Sequence, residues 1–205
     1  MRALEDLAGL AAAARCCACG TPGPHLCRDC RSSLRPAPAG PLPDGIDRVV
    51  AAWAYEGAAR ALVLRLKLSA RRTAAPILAA GITSALARTG SRATVVTWVP
   101  GHRPDMRARG FDHGELLART VAARLGLPAR ALLTRIGSTA DQTGLGAAAR
   151  RANLAGAFGA RPGAYGQSVL LVDDVVTTGA TAAACASALR AGGASQVDVA
   201  AACRA

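Results

Sequence analysis

Aromatic residues are scarce in this sequence of 205 residues. It contains two Trp, two Tyr and two Phe, which excludes a large aromatic core and an aromatic platform for stacking bases. No uninterrupted run of about 18 apolar residues occurs, so the sequence predicts no transmembrane helix. Yet 51% of the residues are hydrophobic and 19% are charged, and the apolar positions recur regularly, which excludes a disordered chain. The length suits one α/β domain with a small additional unit.

Lysine is almost absent as well. Lys67 is the only lysine among 25 basic residues, and against 13 acidic residues the formal net charge is +12. With so much alanine, this composition partly reflects a bias towards GC-rich codons. Its distribution is more informative, because residues 1–48 carry six basic and five acidic residues whereas residues 49–205 carry 19 and eight. The excess suits an anionic ligand such as phosphate or nucleic acid, and a solvated basic surface explains it almost as well.

The N-terminal residues lack the marks of a secretory signal. Glu5 and Asp6 stand where a signal peptide carries positive charge, and the apolar run at 8–14 is short. We therefore expect a cytoplasmic, reducing setting, in which closely spaced cysteines bind a metal more often than they form disulfides.

The sequence divides into three parts. Residues 1–35 hold four regularly spaced cysteines, residues 36–45 are a Pro/Gly linker that suits neither helix nor strand, and residues 46–205 alternate strands with helices. Strands separated by helices of this length predict an α/β fold with a mostly parallel sheet flanked by helices on both faces. The apolar spacing predicts strands at 48–55, 94–100, 168–172 and 196–203, and helices at 57–69, 74–88, 113–125 and 179–191.

The cysteines of the first part form two C-x2-C pairs, Cys16/Cys19 and Cys27/Cys30. A spacing of two residues lets one tight turn direct two thiolates to the same tetrahedral ion, and Zn²⁺ is the ion that four such ligands suit. Two disulfides are the alternative, which a reducing setting disfavours. Cys17 could take the place of Cys16. We expect a structural site, because a segment this short cannot build a core of its own.

The most informative segment runs from Val169 to Thr181. An apolar strand ends in two adjacent carboxylates, and a short loop then opens a helix. The N-terminus of a helix offers N–H groups and the positive end of a dipole to a phosphate, and a glycine lets the backbone approach it closely. The carboxylates can accept hydrogen bonds from the vicinal hydroxyls of a sugar. An ordinary strand-to-helix turn is the alternative. We predict a ribose 5-phosphate site formed by Asp173, Asp174, Thr177, Thr178, Gly179, Ala180 and Thr181.

This segment, DDVVTTGAT, resembles the fingerprint for phosphoribosyl pyrophosphate (PRPP) of type I phosphoribosyltransferases. With the four cysteines, Leu66-Lys67 and Arg109-Gly110-Phe111 in the same order, the sequence is similar to the ComF family over nearly the whole chain. The resemblance implies a type I phosphoribosyltransferase-like domain behind a zinc-binding module, and PRPP bound together with Mg²⁺. It assigns the acidic pair, as catalytic residues, to the ribose hydroxyls and the loop to the 5-phosphate. It also implies a link to natural competence and DNA uptake.

In the resembled fold, a loop after an earlier strand contacts the pyrophosphate of PRPP. Here the predicted strand at 94–100 leads into a loop with Arg103, Arg107 and Arg109, whose guanidinium groups suit phosphate oxygens. A solvated basic loop is the alternative. Just after this loop the sequence differs from the family pattern, because it has Asp112-His113 where Asn-Gln is usual. The glycine that usually follows Lys67 is also missing.

Two functions remain open at this point. The first is a phosphoribosyltransferase that displaces pyrophosphate at the anomeric carbon through electrostatic stabilisation. The second is a non-catalytic accessory protein of the DNA-uptake machinery, which binds a nucleotide or single-stranded DNA and contacts a competence ATPase or helicase. PRPP or a related ribose phosphate is the expected ligand in both cases, and no base-recognition element identifies an acceptor.

Overall fold

The computed structural model describes residues 14–68, 73–102, 106–107, 110–136 and 156–205. The strands and helices predicted from the apolar spacing are all present. In chain order, the elements are α1 (Arg28–Ser32), β1 (Arg48–Ala54), α2 (Gly57–Leu68), α3 (Ala74–Thr89), β2 (Val95–Trp98), α4 (His113–Leu125), β3 (Leu133–Arg135), β4 (Phe158–Ala160), β5 (Ser168–Val176), α5 (Ala180–Ala191) and β6 (Gln196–Arg204). Within these residues, no helix has both the length and the hydropathy that a membrane span requires.

The main sheet consists of four parallel strands in the order β1-β6-β5-β2. Its central strands are almost continuous runs of Val, Leu and Ala, as expected where helices cover both faces of a parallel sheet. Helices α2, α3 and α4 pack on one face, and α5 packs on the other together with the antiparallel pair β3–β4. The predicted α/β class with a mostly parallel sheet is therefore confirmed.

Strand β5 continues beyond the predicted end at residue 172. It pairs with β6 as far as the partners Val176 and Arg204, so Asp173 and Asp174 lie within the strand. All four strands run in the same direction, which brings their carboxyl ends to one edge of the sheet. The loop after β5 lies at this edge, which is where ligands of open α/β sheets bind.

The four-cysteine module, described here from residue 14 to residue 35, is packed against the main domain. Cys16, Cys17 and Leu26 are buried in the same apolar cluster as the inner faces of α2 and α3. The linker at 36–45 is attached as well, because the Ala37 N–H donates to the Ala52 carbonyl at 3.3 Å. The module and the sheet thus share one core.

Candidate functional site

The two adjacent carboxylates have different surroundings. Asp174 is buried, with 5% of its surface exposed, and its carboxylate faces α2 and α4. Asp173 is half-buried and lines a small cavity together with the loop that follows the strand. The backbone N–H of Asp174 donates to Oδ1 of Asp173 at 2.8 Å, which holds the Asp173 side chain against the backbone of its neighbour. The pair is therefore one structural unit with one buried and one cavity-facing member.

A lysine and a histidine contact a single oxygen of Asp174. Lys67 Nζ lies 2.9 Å from Oδ2, and His113 Nε2 lies 3.2 Å from the same atom. Burial opposes ionisation of Asp174, but these two partners outweigh it and lower its pKa. In the sequence, both residues belong only to the family pattern, because Lys67 lies in the last turn of α2 and His113 is the first residue of α4. No periodicity could show that these helices meet at β5.

Asp173 shifts in the opposite direction. Burial, and then the negative charge of Asp174, raise its pKa to about 7, although the N–H of Asp174 and the charges of Lys67 and His113 act against this rise. Two adjacent carboxylates that share a site separate their ionisation in this manner. Near neutral pH the pair therefore carries between one and two negative charges.

The loop between β5 and α5 forms the other half of the site. Thr177 and Thr178 are exposed, and Gly179 is the N-cap of α5, with a φ of 76°. The Ala180 N–H points back to the hydroxyl of Thr178 at 3.4 Å. A cavity of about 50 Å³ is lined by Asp173, Val175, Val176 and residues 177–182. That volume is several times what one water molecule needs, and N–H groups at a helix N-terminus attract an anion of phosphate size.

The linker lies directly on this loop. A Cβ at Gly179 would lie only 2.3 Å from Cγ of Pro43, so no other residue fits at this position without a shift. The nearby guanidinium of Arg204, 8% exposed, donates from Nη2 to the Pro41 carbonyl at 2.6 Å and packs against Gly40. Arg204 thus ties the linker to the end of β6, and Pro43 of the linker lies against the phosphate loop at Gly179.

Gly179→Ala is expected to destabilise the protein more than an ordinary substitution of a left-handed glycine. Gly126, which caps the C-terminus of α4 with a φ of 68°, has nothing within 4 Å of an added Cβ. Gly126→Ala should therefore lower the free energy of unfolding by only the conformational term, about 1–2 kcal/mol. Gly179→Ala adds the overlap with Pro43, and thermal unfolding of the two variants measures the difference.

Removing the Cγ atom of Pro43 should restore part of that loss. We expect Pro43→Ala combined with Gly179→Ala to be more stable than Gly179→Ala alone, because the closest contact disappears. Equal destabilisation by Gly126→Ala and Gly179→Ala would show that the linker does not press on the loop.

The predicted arginine loop is only partly described. Arg107 is exposed and follows Met106, whose N–H donates to the His102 carbonyl at 3.0 Å. It does not line the cavity at the phosphate loop. Arg103 and Arg109 lie outside the described residues, so the assignment of these three arginines to the pyrophosphate stays a prediction.

The four predicted cysteines come together. The Sγ atoms of Cys16, Cys19, Cys27 and Cys30 all lie within 4.8 Å of one another, and those of Cys19 and Cys27 are 3.8 Å apart. Metal–sulfur bonds of about 2.3 Å in a tetrahedron require sulfur atoms about 3.8 Å apart. The cluster can therefore hold a metal ion. Cys17 is not part of it, because its Sγ points to Oγ1 of Thr73 at 3.3 Å.

The backbone favours thiolates on one side of this cluster. Burial opposes ionisation of Cys16, but backbone hydrogen bonds from Cys19 and Cys27 outweigh it and lower its pKa to about 6. Hydrogen bonds with Thr21 lower the pKa of Cys19. Burial and the neighbouring sulfur atoms raise the pKa of Cys30. Four sulfur atoms so close together cannot all be anionic without a central cation, which a metal ion supplies.

Comparison with known proteins identifies the family. The family model of the phosphoribosyl transferase domain matches residues 112–205. The DNA utilization protein YhgH of Salmonella typhimurium (strain LT2) is 32% identical over 199 residues, which cover 92% of this chain and 83% of that protein. YhgH of Escherichia coli (strain K12) is 31% identical over the same shares. The chain belongs to the ComF family.

This ComF-family protein also has similar solved structures. The allosteric regulatory enzyme of purine biosynthesis is 25% identical over 63% of this chain and 25% of that chain, with a TM-score of 0.44. A TM-score of 0.44 gives no information about the site. The assignment of the phosphoribosyltransferase fold depends on the parallel sheet and the family match.

Proposed function

We propose that this ComF-family protein binds the ribose 5-phosphate part of PRPP, or of a related ribose phosphate, at the carboxyl edge of its sheet. The observation that carries the proposal is that Asp173 and the phosphate loop at 177–182 line one cavity. The loop N–H groups donate to the 5-phosphate, while the carboxylate of Asp173 accepts a hydrogen bond from a sugar hydroxyl. Asp174 does not line this cavity, and its contact with the second hydroxyl is proposed from the family pattern alone. A phosphate next to a diol is what a ribose phosphate presents.

One oxygen of the acidic pair is poorly suited to Mg²⁺. Oδ2 of Asp174 is already contacted by Lys67 and His113, which compete with a metal ion for the same atom. A Mg²⁺ ion that accompanies PRPP would neutralise the leaving pyrophosphate, and we assign no residue of the described chain to it. The three arginines of the loop at 103–109 are proposed to contact the same pyrophosphate.

The four-cysteine cluster is proposed to hold a structural Zn²⁺ ion. Four thiolates in closed tetrahedral coordination suit zinc and leave no position for a substrate. This proposal includes a cytoplasmic location, because the thiolates must stay reduced. It also keeps the predicted division into a zinc module at 1–35, a linker at 36–45 and a phosphoribosyltransferase-like domain at 46–205.

Titration calorimetry tests the binding proposal directly. The wild-type protein should bind PRPP with Mg²⁺, and should bind ribose 5-phosphate more tightly than ribose or inorganic phosphate alone, because only ribose 5-phosphate engages both halves of the site. Equal affinities for ribose 5-phosphate and inorganic phosphate would contradict a role for the acidic pair. Pyrophosphate release from PRPP across a panel of nucleobases and amines then separates a transferase from a protein that only binds.

A role in handling DNA is the second candidate. It is supported by the name of the relatives, DNA utilization protein, and by the basic excess on residues 49–205. The proposed partners are single-stranded DNA and a competence ATPase or helicase. Because few aromatic residues are available for stacking, contacts to phosphates should dominate. Affinity for a single-stranded oligonucleotide should then fall steeply between 50 and 200 mM salt, as expected for about 6–10 phosphate contacts; a flat salt dependence would argue against it.

A further inference from the structure

Three separate elements converge on one oxygen atom next to the proposed ribose site. Asp174 is on β5, Lys67 is near the end of α2, and His113 is the first residue of α4. The side chains of Lys67 and His113 are 34% and 19% exposed, so both are partly withdrawn from water. Attraction between charges is stronger in such surroundings than on the open surface. The two contacts therefore favour the ionised form of the Asp174 carboxylate.

The imidazole of His113 is placed by the cap of its own helix. Asp112 is the N-cap of α4, and its Oδ1 accepts hydrogen bonds from the N–H groups of Gly114 and Glu115, at 2.8 and 3.2 Å. Its Oδ2 accepts from the N–H of Gly101, at 3.2 Å, which ties the start of α4 to the segment after β2. The backbone of His113 is thus held in place at the carboxyl edge of the sheet.

Two thiols of the described residues lie beside the pair and carry no charge near neutral pH. Cys203 of β6 and Cys185 of α5 are buried beside the carboxylates. Burial, and then the charge of Asp174, raise the pKa of Cys203 to about 12, and burial followed by the charge of Asp173 raises that of Cys185. Both thiols stay neutral. Among the described groups that shift the ionisation of Asp173, only Lys67 and His113 favour its charged form through positive charge.

We propose that His113 is a positioning residue of the ribose site. It contacts Oδ2 of Asp174 through Nε2 at 3.2 Å and orients this carboxylate next to the proposed ribose site, and in its protonated form it places a positive charge beside the acidic pair. The inference rests on the proposed binding of ribose 5-phosphate. It adds to that proposal a residue that departs from the ComF pattern, in which glutamine is usual at this place.

Replacing His113 with the glutamine that is usual in the family tests this proposal. His113→Gln keeps a donor of similar reach but removes the charge. The carboxyl carbon of Asp173, followed by carbon-13 NMR without ligand, should titrate near pH 7 in the wild type. In His113→Gln its midpoint should rise, by about one pH unit at most, because the charge of a protonated His113 acts against the raised pKa of Asp173. Lys67→Met should move it in the same direction, and this second variant alters a side chain that is one-third exposed.

Ribose 5-phosphate binding provides the second readout. At pH 6.5 the affinity of His113→Gln should be lower than that of the wild type, by about tenfold at most, because a midpoint shift of about one unit allows no more. At pH 9 it should return to within about twofold, since Asp173 is then ionised in both. Glu115→Gln is the matched control, because Glu115 lies on the same helix and pairs with Arg119 at the surface. It should move neither readout.

The outcomes separate the two proposals. A wild type that binds ribose 5-phosphate, with an unmoved or lowered Asp173 midpoint in both His113→Gln and Lys67→Met, overturns the role of His113 alone. An affinity loss in His113→Gln that is equal at pH 6.5 and pH 9 also overturns it, because that pattern indicates only a packing role. A wild type that fails to bind ribose 5-phosphate at any pH overturns the proposed function, and the role of His113 falls with it.

Discussion

Replacing Asp173 with asparagine is expected to weaken ribose 5-phosphate binding and at the same time to stabilise the protein. In the folded state the pKa of Asp173 is raised to about 7 from an ordinary value of 3.8. The folded protein therefore holds the proton more tightly than the unfolded chain. Stability from this group is full below the unfolded pKa and declines as the pH rises to about 7. Asparagine does not ionise, so the variant is free of this decline. The stability of Asp173→Asn relative to the wild type should therefore increase between pH 4 and 7 and then level off.

Asp174→Asn is expected to have the opposite effect on stability. The folded-state pKa of Asp174 is lowered, so its contribution is present above the unfolded pKa and is lost as the pH falls through the lowered value. Asparagine leaves Lys67 and His113 without their carboxylate. Because Lys67 is one-third exposed, we expect a loss of about 1–3 kcal/mol, less than for a fully buried pair. Both variants lose a charged acceptor, which should lower ribose 5-phosphate affinity about 10- to 100-fold.

Thermal unfolding at pH 5 and pH 8, together with calorimetry, measures these effects. Asp29→Asn is the control, because Asp29 is an exposed carboxylate of α1 and its loss changes the net charge equally. It should leave ribose 5-phosphate binding unchanged. An Asp173→Asn protein that is less stable than the wild type at pH 8 would refute the view that the pair carries an unfavourable buried charge.

Loss of one metal ligand is expected to unfold the four-cysteine module. Cys27→Ser removes a thiolate from the cluster, whereas Cys17→Ser changes the neighbouring buried cysteine that faces Thr73. Purified Cys17→Ser should retain about one zinc ion per chain and Cys27→Ser should not, since closed zinc sites need four ligands. Without the ion, the stability that metal coordination gives to a small module is lost.

Elemental analysis gives the metal content, and hydrogen exchange locates the unfolding. The N–H groups of Cys16, Cys17 and Gly20 form backbone hydrogen bonds within the module and should lose protection in Cys27→Ser. Because Cys16 and Leu26 belong to the core shared with α2 and α3, the whole protein should also melt at a lower temperature. Zinc retained by Cys16→Ser but lost from Cys17→Ser would instead make Cys17 the ligand.

The local parts of the fold could be predicted from the sequence. The apolar run before Asp173, the glycine at 179 and the alanine-rich helix are consecutive, so one segment specifies the strand, the loop and the helix N-terminus. The cysteine spacing likewise specified a cluster that a single turn on each side can form. In both cases the residues that act together are close in the chain, and local geometry decides the result.

The surroundings of the site could not be predicted in this way. Lys67 and His113 come from different helices, and their meeting at Asp174 depends on how α2 and α4 pack on the sheet. The short strands β3 and β4 have three residues each, too few to show a period. The contact of Pro43 with Gly179 joins positions 136 residues apart, which no spacing rule relates.

The course of the linker limits how the protein can be shortened. A fragment starting at Ile46 would keep every strand and helix of the larger domain, yet it would lack Pro41 and Pro43. The Arg204 guanidinium would then lose its carbonyl acceptor, and one side of the anion-binding loop would be open to solvent. Affinities measured on such a fragment would describe an altered pocket, so binding studies should retain the residues upstream of the sheet.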